Sequence, residues 1–508
     1  MPPDRSHSPV TKSSGSLVLV RYSGDLTIKA TPTRNHFSKR LARNIKDGLR
    51  SIDLRAQIDR RYDRLHVQFA NADDASLAMP LLGRVFGVQS VAGTTERPFT
   101  SLEELVRHGL EIFGDAVVGK TFAVRARRVG DRNQIPITSN DVARALGAAL
   151  APRSAGVDLG NPEVTVSVEV SPGVVNFFRD ALQGPGGLPL GVEGRAVALV
   201  SGGFDSAVAS WQMLKRGVAL DYVFCNLGGR SHQLGTLRVM KHIADHWSYG
   251  LRPHFHAVEF DAVSADLQNA CTTRYWQIVL KRLMLGAGER VAAERGSAAL
   301  VTGEAIGQVS SQTLQNLAVI SHGSELPILR PLVGLNKDEI LKVARHIGTF
   351  DLSKVVGEYC ALVPSKPATT STVQGIDHEQ SKLDVELLNR AVAERSVFDL
   401  RPLDLASLDD ATLQTDAIPE GATVIDLRTK AAYQSWHYDG ALFLDFAEAI
   451  KACPAFDSKQ RYVLYCEFGL KSAHLAEMMR GQGLDATSFL GGVPALRKRA
   501  AAEGAIDN

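Results

Sequence analysis

Ser201-Gly202-Gly203-Phe204-Asp205-Ser206 follows the short apolar run Ala196–Val200 and precedes an apolar-periodic stretch reaching about Arg216. The run reads as a buried strand and the stretch as a helix. Two glycines between them let the backbone turn tightly and approach an anion. The amides that open a helix have no intrahelical partner, so they bind phosphate, aided by the helix dipole. Asp205 is placed to hold Mg²⁺ against phosphate oxygens. The plainer alternative is a Gly-Gly turn with a serine cap. Leu220–Cys225 and Ala298–Thr302 read as further strands. Strands alternating with helices argue a parallel, doubly wound sheet, in which ligands bind at the carboxyl ends of the strands.

Working outward, Gly303-Glu304-Ala305-Ile306-Gly307-Gln308-Val309-Ser310-Ser311-Gln312-Thr313 leaves the strand Ala298–Thr302. Its glycine and small polar residues suit a second wall for a nucleotide. Asn336-Lys337-Asp338-Glu339 has the form of a capping box, with Asn336 as N-cap and Glu339 reaching back. Upstream, Leu17–Tyr22 and Leu65–Phe69 read as strands around a helix, Arg34–Arg50, whose Phe37, Leu41, Ile45 and Leu49 recur at helical spacing. A second small unit holds helices at Leu102–Phe113 and Asp141–Leu150, and strands at Thr121–Arg127 and Val164–Val170. The Gly- and Pro-rich stretch Gly184–Gly191 marks a boundary. Downstream, Asp377–Arg395 reads as a polar helical connector. Beyond it come strands Thr423–Leu427 and Tyr462–Cys466 and a helix Ser472–Gln482.

With 508 residues, 44% apolar and 22% charged, the chain is an ordinary globular composition several domains long. No apolar run approaches the roughly 18 residues that span a bilayer. Met1–Ser16 has no apolar core of a signal peptide and reads as a disordered tail. The net charge is +2, yet the first fifty residues hold ten Lys and Arg against three Asp and Glu. Such a basic start suits a polyanion, or is simply a solvated helix face. Arg34, Lys39 and Arg43 on the first helix, with Arg125 and Arg127 on the strand Thr121–Arg127, are the candidate RNA contacts. Five cysteines without any C-x-x-C exclude a zinc knuckle and fit a reducing, cytoplasmic setting. Cys225, Cys271 and Cys453 read as packing or bystander residues. Cys360 falls in a Pro-rich loop. Cys466 ends a strand and opens a loop, Glu467-Phe468-Gly469-Leu470-Lys471-Ser472, that enters a helix. Amides curled around that sulfur would stabilise a thiolate or persulfide anion.

The Ser201–Ser206 motif resembles the phosphate loop of the PP-loop ATP pyrophosphatases; no G-x-x-x-x-G-K-S/T is present. The Cys466 loop, with Asp426-Leu427-Arg428, His437–Ala441 and Leu490-Gly491-Gly492-Val493, resembles a rhodanese domain; Glu467 and Phe468 depart from its usual polar or basic loop. Gly24–Lys29, Asn226-Leu227-Gly228-Gly229 and Leu280-Lys281-Arg282 extend the likeness. From about residue 17 to 500 the chain resembles the tRNA 4-thiouridine synthases, the ThiI family, in the form that carries a rhodanese.

The fold implied is multidomain α/β: a disordered tail 1–16, a ferredoxin-like α+β unit 17–80, and a THUMP RNA-binding unit 81–185. A doubly wound parallel-sheet PP-loop domain 186–376, a linker 377–404 and a rhodanese domain 405–505 follow. ATP and Mg²⁺ are the implied cofactors. The implied ATP contacts are Leu199, Val200, Phe224, Cys225, Lys281, Gly303 and Gln312, beside the motif residues Ser201, Gly202, Gly203, Asp205 and Ser206. Cys466 is the implied sulfur carrier, loaded by a cysteine desulfurase. Cys360 is the implied second catalytic cysteine, forming with Cys466 a disulfide that a cellular reductant reopens. The implied reaction adenylates uridine 8 of tRNA and replaces its 4-oxygen by sulfur. A role in passing sulfur to the thiamine sulfur-carrier protein is linked to the same family. Rival readings are a 2-thiolating tRNA enzyme, an amide-forming synthetase, a sulfur relay acting on a carrier protein alone, and an RNA-binding module with degenerate catalytic domains.

Overall fold

The first sheet is built by β1 (Leu17–Tyr22), β2 (Gln57–Arg60), β3 (Arg64–Gln68), β4 (Val88–Pro98), β5 (Thr121–Arg128), β6 (Gly156–Val157), β7 (Val164–Ser171), β8 (Val174–Phe178) and β9 (Leu182–Gln183). In this computed structural model the strand order is β2-β3-β1-β4-β8-β7-β5-β6, with β9 also on β4. The described residues are 16–61, 63–129, 134–178, 181–356, 366–408 and 411–502. The expected tail therefore lies outside them except for Ser16, whose carbonyl accepts from Phe69 N at 2.8 Å. The helix Thr31–Arg50 has Pro32 in its first turn, where a missing N–H costs nothing. Phe37, Leu41, Ile45 and Leu49 are all buried, packed with Val18, Val20, Leu65 and Val67. β4 is long enough to serve two cores. Its first part pairs with β1, and Thr95–Pro98 pair with β8. The second core lies under the helices Leu102–Phe113 and Ser139–Leu150, around Phe122, Val166 and Val168. Residues 80 and 81, the expected boundary, sit inside the helix Ala72–Leu82.

Two units divide the chain: residues up to Glu193 with Lys215–Gly217 and Tyr249–Leu251, and the remainder. The second unit contains two further sheets. One uses β10 (Arg195–Leu199), β11 (Ala219–Asn226), β12 (His254–Glu259), β13 (Leu300–Val301), β14 (Ile328–Leu329) and β15 (Ser396–Asp399), in the order β14-β13-β10-β11-β12-β15. All pairs are parallel except β12 with β15. Every residue of β11 is buried, as a central strand covered on both faces must be. The chain runs outward from β10 to β12, then returns to β13 on the other side. The switch point, where the strands' carboxyl ends leave a crevice, thus falls between β10 and β13.

The expected linker 377–404 is instead largely built into this domain. It carries the end of the helix Val373–Gln380, the helix Val385–Ala393 and β15. Leu388 and Val392, four positions apart on one helical face, are buried against the helix Trp276–Arg295 and the sheet. Its polar composition belongs to the opposite face. The capping box at Asn336 is formed: Glu339 N donates to Asn336 Oδ1 at 3.0 Å and Asn336 N to Glu339 Oε2 at 2.9 Å.

The last sheet uses β16 (Gln414–Thr415), β17 (Thr423–Asp426), β18 (Leu442–Phe443), β19 (Arg461–Tyr465) and β20 (Asp485–Phe489), all parallel, in the order β16-β20-β19-β17-β18. Cys466 follows its central strand, again beside a switch point. Among the described residues no helix is long and apolar enough to cross a membrane.

Candidate active site

The loop Val200–Gly203 leaves β10 and enters the helix Phe204–Lys215. Val200 N donates to Val223 O at 2.9 Å, tying the loop to the end of β11. Gly202 has φ +75°, and a Cβ there would lie 2.7 Å from Thr236 Oγ1 and 2.9 Å from Val356 Cγ1. Only glycine meets both demands. Ser206 folds back within the turn: Ser201 N donates to its Oγ at 3.3 Å, and that hydroxyl donates to Gly203 O at 3.2 Å. His232 Nε2 donates to Ser201 O at 3.1 Å. Burial holds His232 neutral, its pKa pushed down to about 4. The turn is thus pinned from three sides with its helix amides facing the crevice.

The second motif meets the first through Gly303. A Cβ on Gly303 would lie 2.7 Å from Asp205 C and 2.8 Å from Ser206 N, both backbone atoms that cannot swing away. Gly303→Ala is therefore expected to push the opening turn of the helix Phe204–Lys215 out of place. Overpacking of this kind costs about 1–3 kcal/mol. A lower melting temperature together with at least about tenfold weaker ATP binding in calorimetry is the expected pair of results.

Charge concentrates at the mouth. Lys337 Nζ lies 2.9 Å from Asp205 Oδ1, and Gln308 Nε2 donates to Oδ2 at 2.9 Å. Glu304 is buried and accepts from Lys281 Nζ at 2.6 Å, Arg330 Nε at 2.8 Å and Thr302 Oγ1 at 3.1 Å. Burial alone would raise its pKa, but Lys281 and Arg330 outweigh that and hold the carboxyl below its usual range. Three cations thus gather beside two carboxylates. Gln312 Oε1 is buried and has no hydrogen-bond partner among the described residues, an acceptor open to a ligand.

The structure brings Leu199 to Ser206, Gly303, Gln308 and, through Glu304, Lys281 into one crevice. Phe224 and Cys225 stand at the carboxyl end of the neighbouring β11 with buried side chains. The Phe224 ring packs on His232 and Phe255, and burial pushes the Cys225 thiol well above its usual range. What these two offer a ligand is backbone. Sequence reasoning misses Arg330, Lys337, Gln308 and Glu304 as site residues. Glu304, Gln308 and Lys337 lie inside recognisable motifs, whereas nothing local marks Arg330. Cys360 lies outside the described residues. Both flanks of its segment rest on the site. Val356 touches Gly202, while Ala368 O accepts from Asn316 Nδ2 at 3.0 Å and Thr369 O from Thr313 Oγ1 at 2.9 Å.

Cys466 is 6% exposed. Ser472 Oγ lies 3.5 Å from its sulfur and also 2.8 Å from Ser488 Oγ. Val493 N donates to Cys466 O at 3.1 Å, closing the loop against the helix Gly492–Ala502. A Cβ on Gly492 would fall 2.6 Å from Cys466 O, so that position also needs glycine. Glu467 points out to solvent, with Arg428 Nη1 3.8 Å from it. Arg428 itself is locked on the buried Asp426 at 2.7 Å.

The candidate RNA contacts divide. Lys39 and Arg43 are exposed, in line with Lys46 and Arg50 on one helical stripe beside Arg60 of β2. Arg34 is 8% exposed and donates to Thr31 Oγ1 at 3.2 Å, so it faces the protein rather than solvent. Its place one turn before the buried Phe37 and Ser38 puts it on the packed side. Arg125 is exposed and donates to Leu159 O. Arg127 is half-exposed but bonded to the buried Glu169 at 2.6 Å, which also holds Arg21 and Arg64.

Family models match four segments: the ThiI ferredoxin-like domain at 17–92, the THUMP domain at 99–178, the thiamine biosynthesis protein ThiI at 191–385, and a rhodanese-like domain at 410–498. A tRNA sulfurtransferase of Thermoplasma acidophilum is 35% identical over 95% of this chain and 96% of its own length. One from Shewanella pealeana is 33% identical over 92% and 98%. The crystal structure of a 4-thiouridine synthetase in complex with RNA and ATP matches with a TM-score of 0.64 and 29% identity, over 75% of this chain and 98% of that one. With a glycine-rich strand-to-helix turn at one switch point, a cysteine loop at another, and these likenesses along nearly its whole length, the chain belongs to the tRNA sulfurtransferase family.

Proposed function

We propose that this enzyme converts uridine 8 of tRNA to 4-thiouridine, using ATP to activate the uracil and a persulfide on Cys466 to supply the sulfur. The observation that carries this is the shared geometry of the second unit. The Ser201–Ser206 turn locks onto Gly303 at one switch point, and a cysteine at the second sits in the same unit. The relative solved with RNA and ATP supports the choice of substrates.

The uracil 4-oxygen attacks the α-phosphorus of ATP, the bond to the β-phosphate breaks, and pyrophosphate leaves. The helix amides after Gly203, with Lys281, Arg330 and Lys337, hold the phosphates and stabilise the charge that develops on them. Asp205 fits a Mg²⁺ site of the kind that takes one or two carboxylates and fills its remaining positions with phosphate and water. No group of three or more His, Cys, Asp or Glu side chains able to hold a metal ion occurs among the described residues. Bound there, Mg²⁺ would neutralise phosphate charge.

Carbon 4 then carries AMP, a far better leaving group than hydroxide. The terminal persulfide sulfur, or sulfide released from it, attacks that carbon and AMP departs. In the direct route the tRNA sulfur stays joined to Cys466 Sγ until the Cys360 thiolate attacks that sulfur. This frees 4-thiouridine and leaves a Cys360–Cys466 disulfide, which a two-electron cellular reductant reopens. Lys354 Nζ lies 5.5 Å from the ring of Phe468, two positions beyond Cys466, and Lys354 precedes Cys360 by six positions in the sequence. That supports the pairing. Loading by a cysteine desulfurase fits a cytoplasmic enzyme. A second outlet, to the thiamine sulfur-carrier protein, would use Cys466 without the nucleotide site.

The test is tRNA-dependent release of AMP and pyrophosphate, with release independent of tRNA counting against uracil activation. For RNA binding, the triple change Lys39→Ala, Arg43→Ala and Lys46→Ala is expected to weaken tRNA affinity and reduce its log–log salt slope by about 2–3. Arg34→Ala is expected to leave that slope unchanged and cost roughly 1–3 kcal/mol of stability instead. Filter binding across a salt series, with thermal melts, separates the two.

A further inference from the structure

The helix that follows Cys466, Leu470–Gly481, packs on the helix Gly229–Trp247 of the nucleotide-binding domain. That second helix begins just past Cys225, on the loop that walls the nucleotide crevice. At its start, Arg230 N donates to Glu477 Oε2 at 3.0 Å, so a carboxylate of the sulfur-carrier domain caps it. Arg230 Nη2 also donates to Leu408 O at 2.7 Å. Gly229 has φ +68°, and a Cβ there would come within 2.4 Å of His474 Nδ1, so the ring rests on bare backbone. Phe468 and Leu470 flank Gly469 in the Cys466 loop. Phe468 lies under Lys354, and Leu470 Cδ1 would be 3.6 Å from a Cβ on Gly235, a position that also touches Val356. The rim of the sulfur-carrying loop is thus seated on the enzyme's own nucleotide domain, and Cys466 is 6% exposed.

We propose that the face formed by Gly229, Arg230, Gly235 and Lys354 is a docking surface for the Cys466 loop. Sulfur is delivered from this docked state, and loading by an outside protein donor requires its release. The inference rests on the persulfide reading above. In loading, the Cys466 thiolate attacks the terminal sulfur of the donor's persulfide. The donor's S–S bond breaks, the donor leaves as a thiolate, and no oxidant is consumed. A protein donor has to reach the rim that Phe468 and Leu470 now press against Lys354 and Gly235. The contact suits reversible use: among the described residues its polar ties include a carboxylate–amide bond, an arginine–carbonyl bond and a cation–ring contact, as in contacts between mobile domains. Because the chain is held in the nucleotide-binding domain through Arg401, where Leu400 N donates to Pro253 O and Lys241 Nζ donates to Arg401 O, release has to be accommodated after Arg401.

The test uses the full chain with Glu477→Arg on the carrier face and Lys354→Glu on the opposite face. Three rates are read: Cys466 persulfide formation from a cysteine desulfurase and cysteine, by peptide mass; thiolation of tRNA from that source; and thiolation from sodium sulfide. Both variants are expected to load about threefold faster or more and to thiolate about tenfold more slowly from desulfurase. Thiolation from sulfide should stay within about twofold of the unaltered chain. Unaltered loading and desulfurase-driven thiolation in both variants would overturn the docking role. Slower loading with Glu477→Arg alone indicates damage to its helix, and Lys354→Glu then decides. If the persulfide reading itself is wrong, the unaltered chain forms no persulfide at Cys466, a distinct outcome.

Discussion

Cys466→Ala is expected to reduce desulfurase-driven thiolation of tRNA below about one hundredth of the unaltered rate, because removing a nucleophile leaves only the catalysis of the remaining site. The same variant should still release AMP and pyrophosphate with tRNA, and should still thiolate from free sulfide. The split follows from position. Cys466 stands at the carboxyl end of β19, in a sheet separate from β10 and β13. Its loss removes a sulfur atom from a preformed loop without touching Gly203, Asp205 or Gly303. Ser472, 3.5 Å from the sulfur, keeps its bonds to Gly469 O and Ser488, so the loop has reason to survive. Paired assays with cysteine plus desulfurase and with sodium sulfide measure it. Equal loss from both sources would mean the cysteine is structural; no loss from either would remove it from sulfur transfer.

Asp205→Ala is expected to act on the other half. Removing a group that organises the phosphate turn should cut AMP formation by about 10²–10³. Persulfide loading at Cys466 should be spared. Asp205 is the shared partner of Lys337 and Gln308, so the variant frees a cation and an amide at the mouth as well as removing a carboxylate. Asp205→Asn separates these effects, since the amide keeps the shape and loses the charge. If charge is what matters, both variants lose activity alike. Retention of adenylation in Asp205→Ala would refute its assigned place.

What the chain revealed before folding, and what it hid, follows from the range of each interaction. The Asn336–Glu339 cap is made by residues three positions apart, and the Ser201–Ser206 turn and the Cys466–Ser472 loop are marked by short runs of sequence, although His232 and Val493 fasten them from afar. Glu304 is different. Its partners Lys281 and Arg330 are 23 and 26 positions away, and only the return of the chain to β13 unites them. Arg34 looked like its neighbours Lys39 and Arg43, because charge content does not say which helical face is packed. The segment 377–404 reads as a linker because its polar residues outnumber Leu388, Val392 and Leu400, the apolar side chains that bury. The sharing of β4 between two cores is likewise a matter of pairing partners, invisible in a strand's own residues.

On the proposed reading, one chain couples uracil activation to sulfur delivery. The most direct measurement incubates the unaltered enzyme with unmodified tRNA, ATP, Mg²⁺, a desulfurase and sulfur-labelled cysteine, followed by nucleoside mass analysis and mapping. Labelled 4-thiouridine at position 8 is expected, formed only with ATP and with AMP released in step. Label at the 2-position of uridine, or 4-thiouridine formed without ATP, would contradict it.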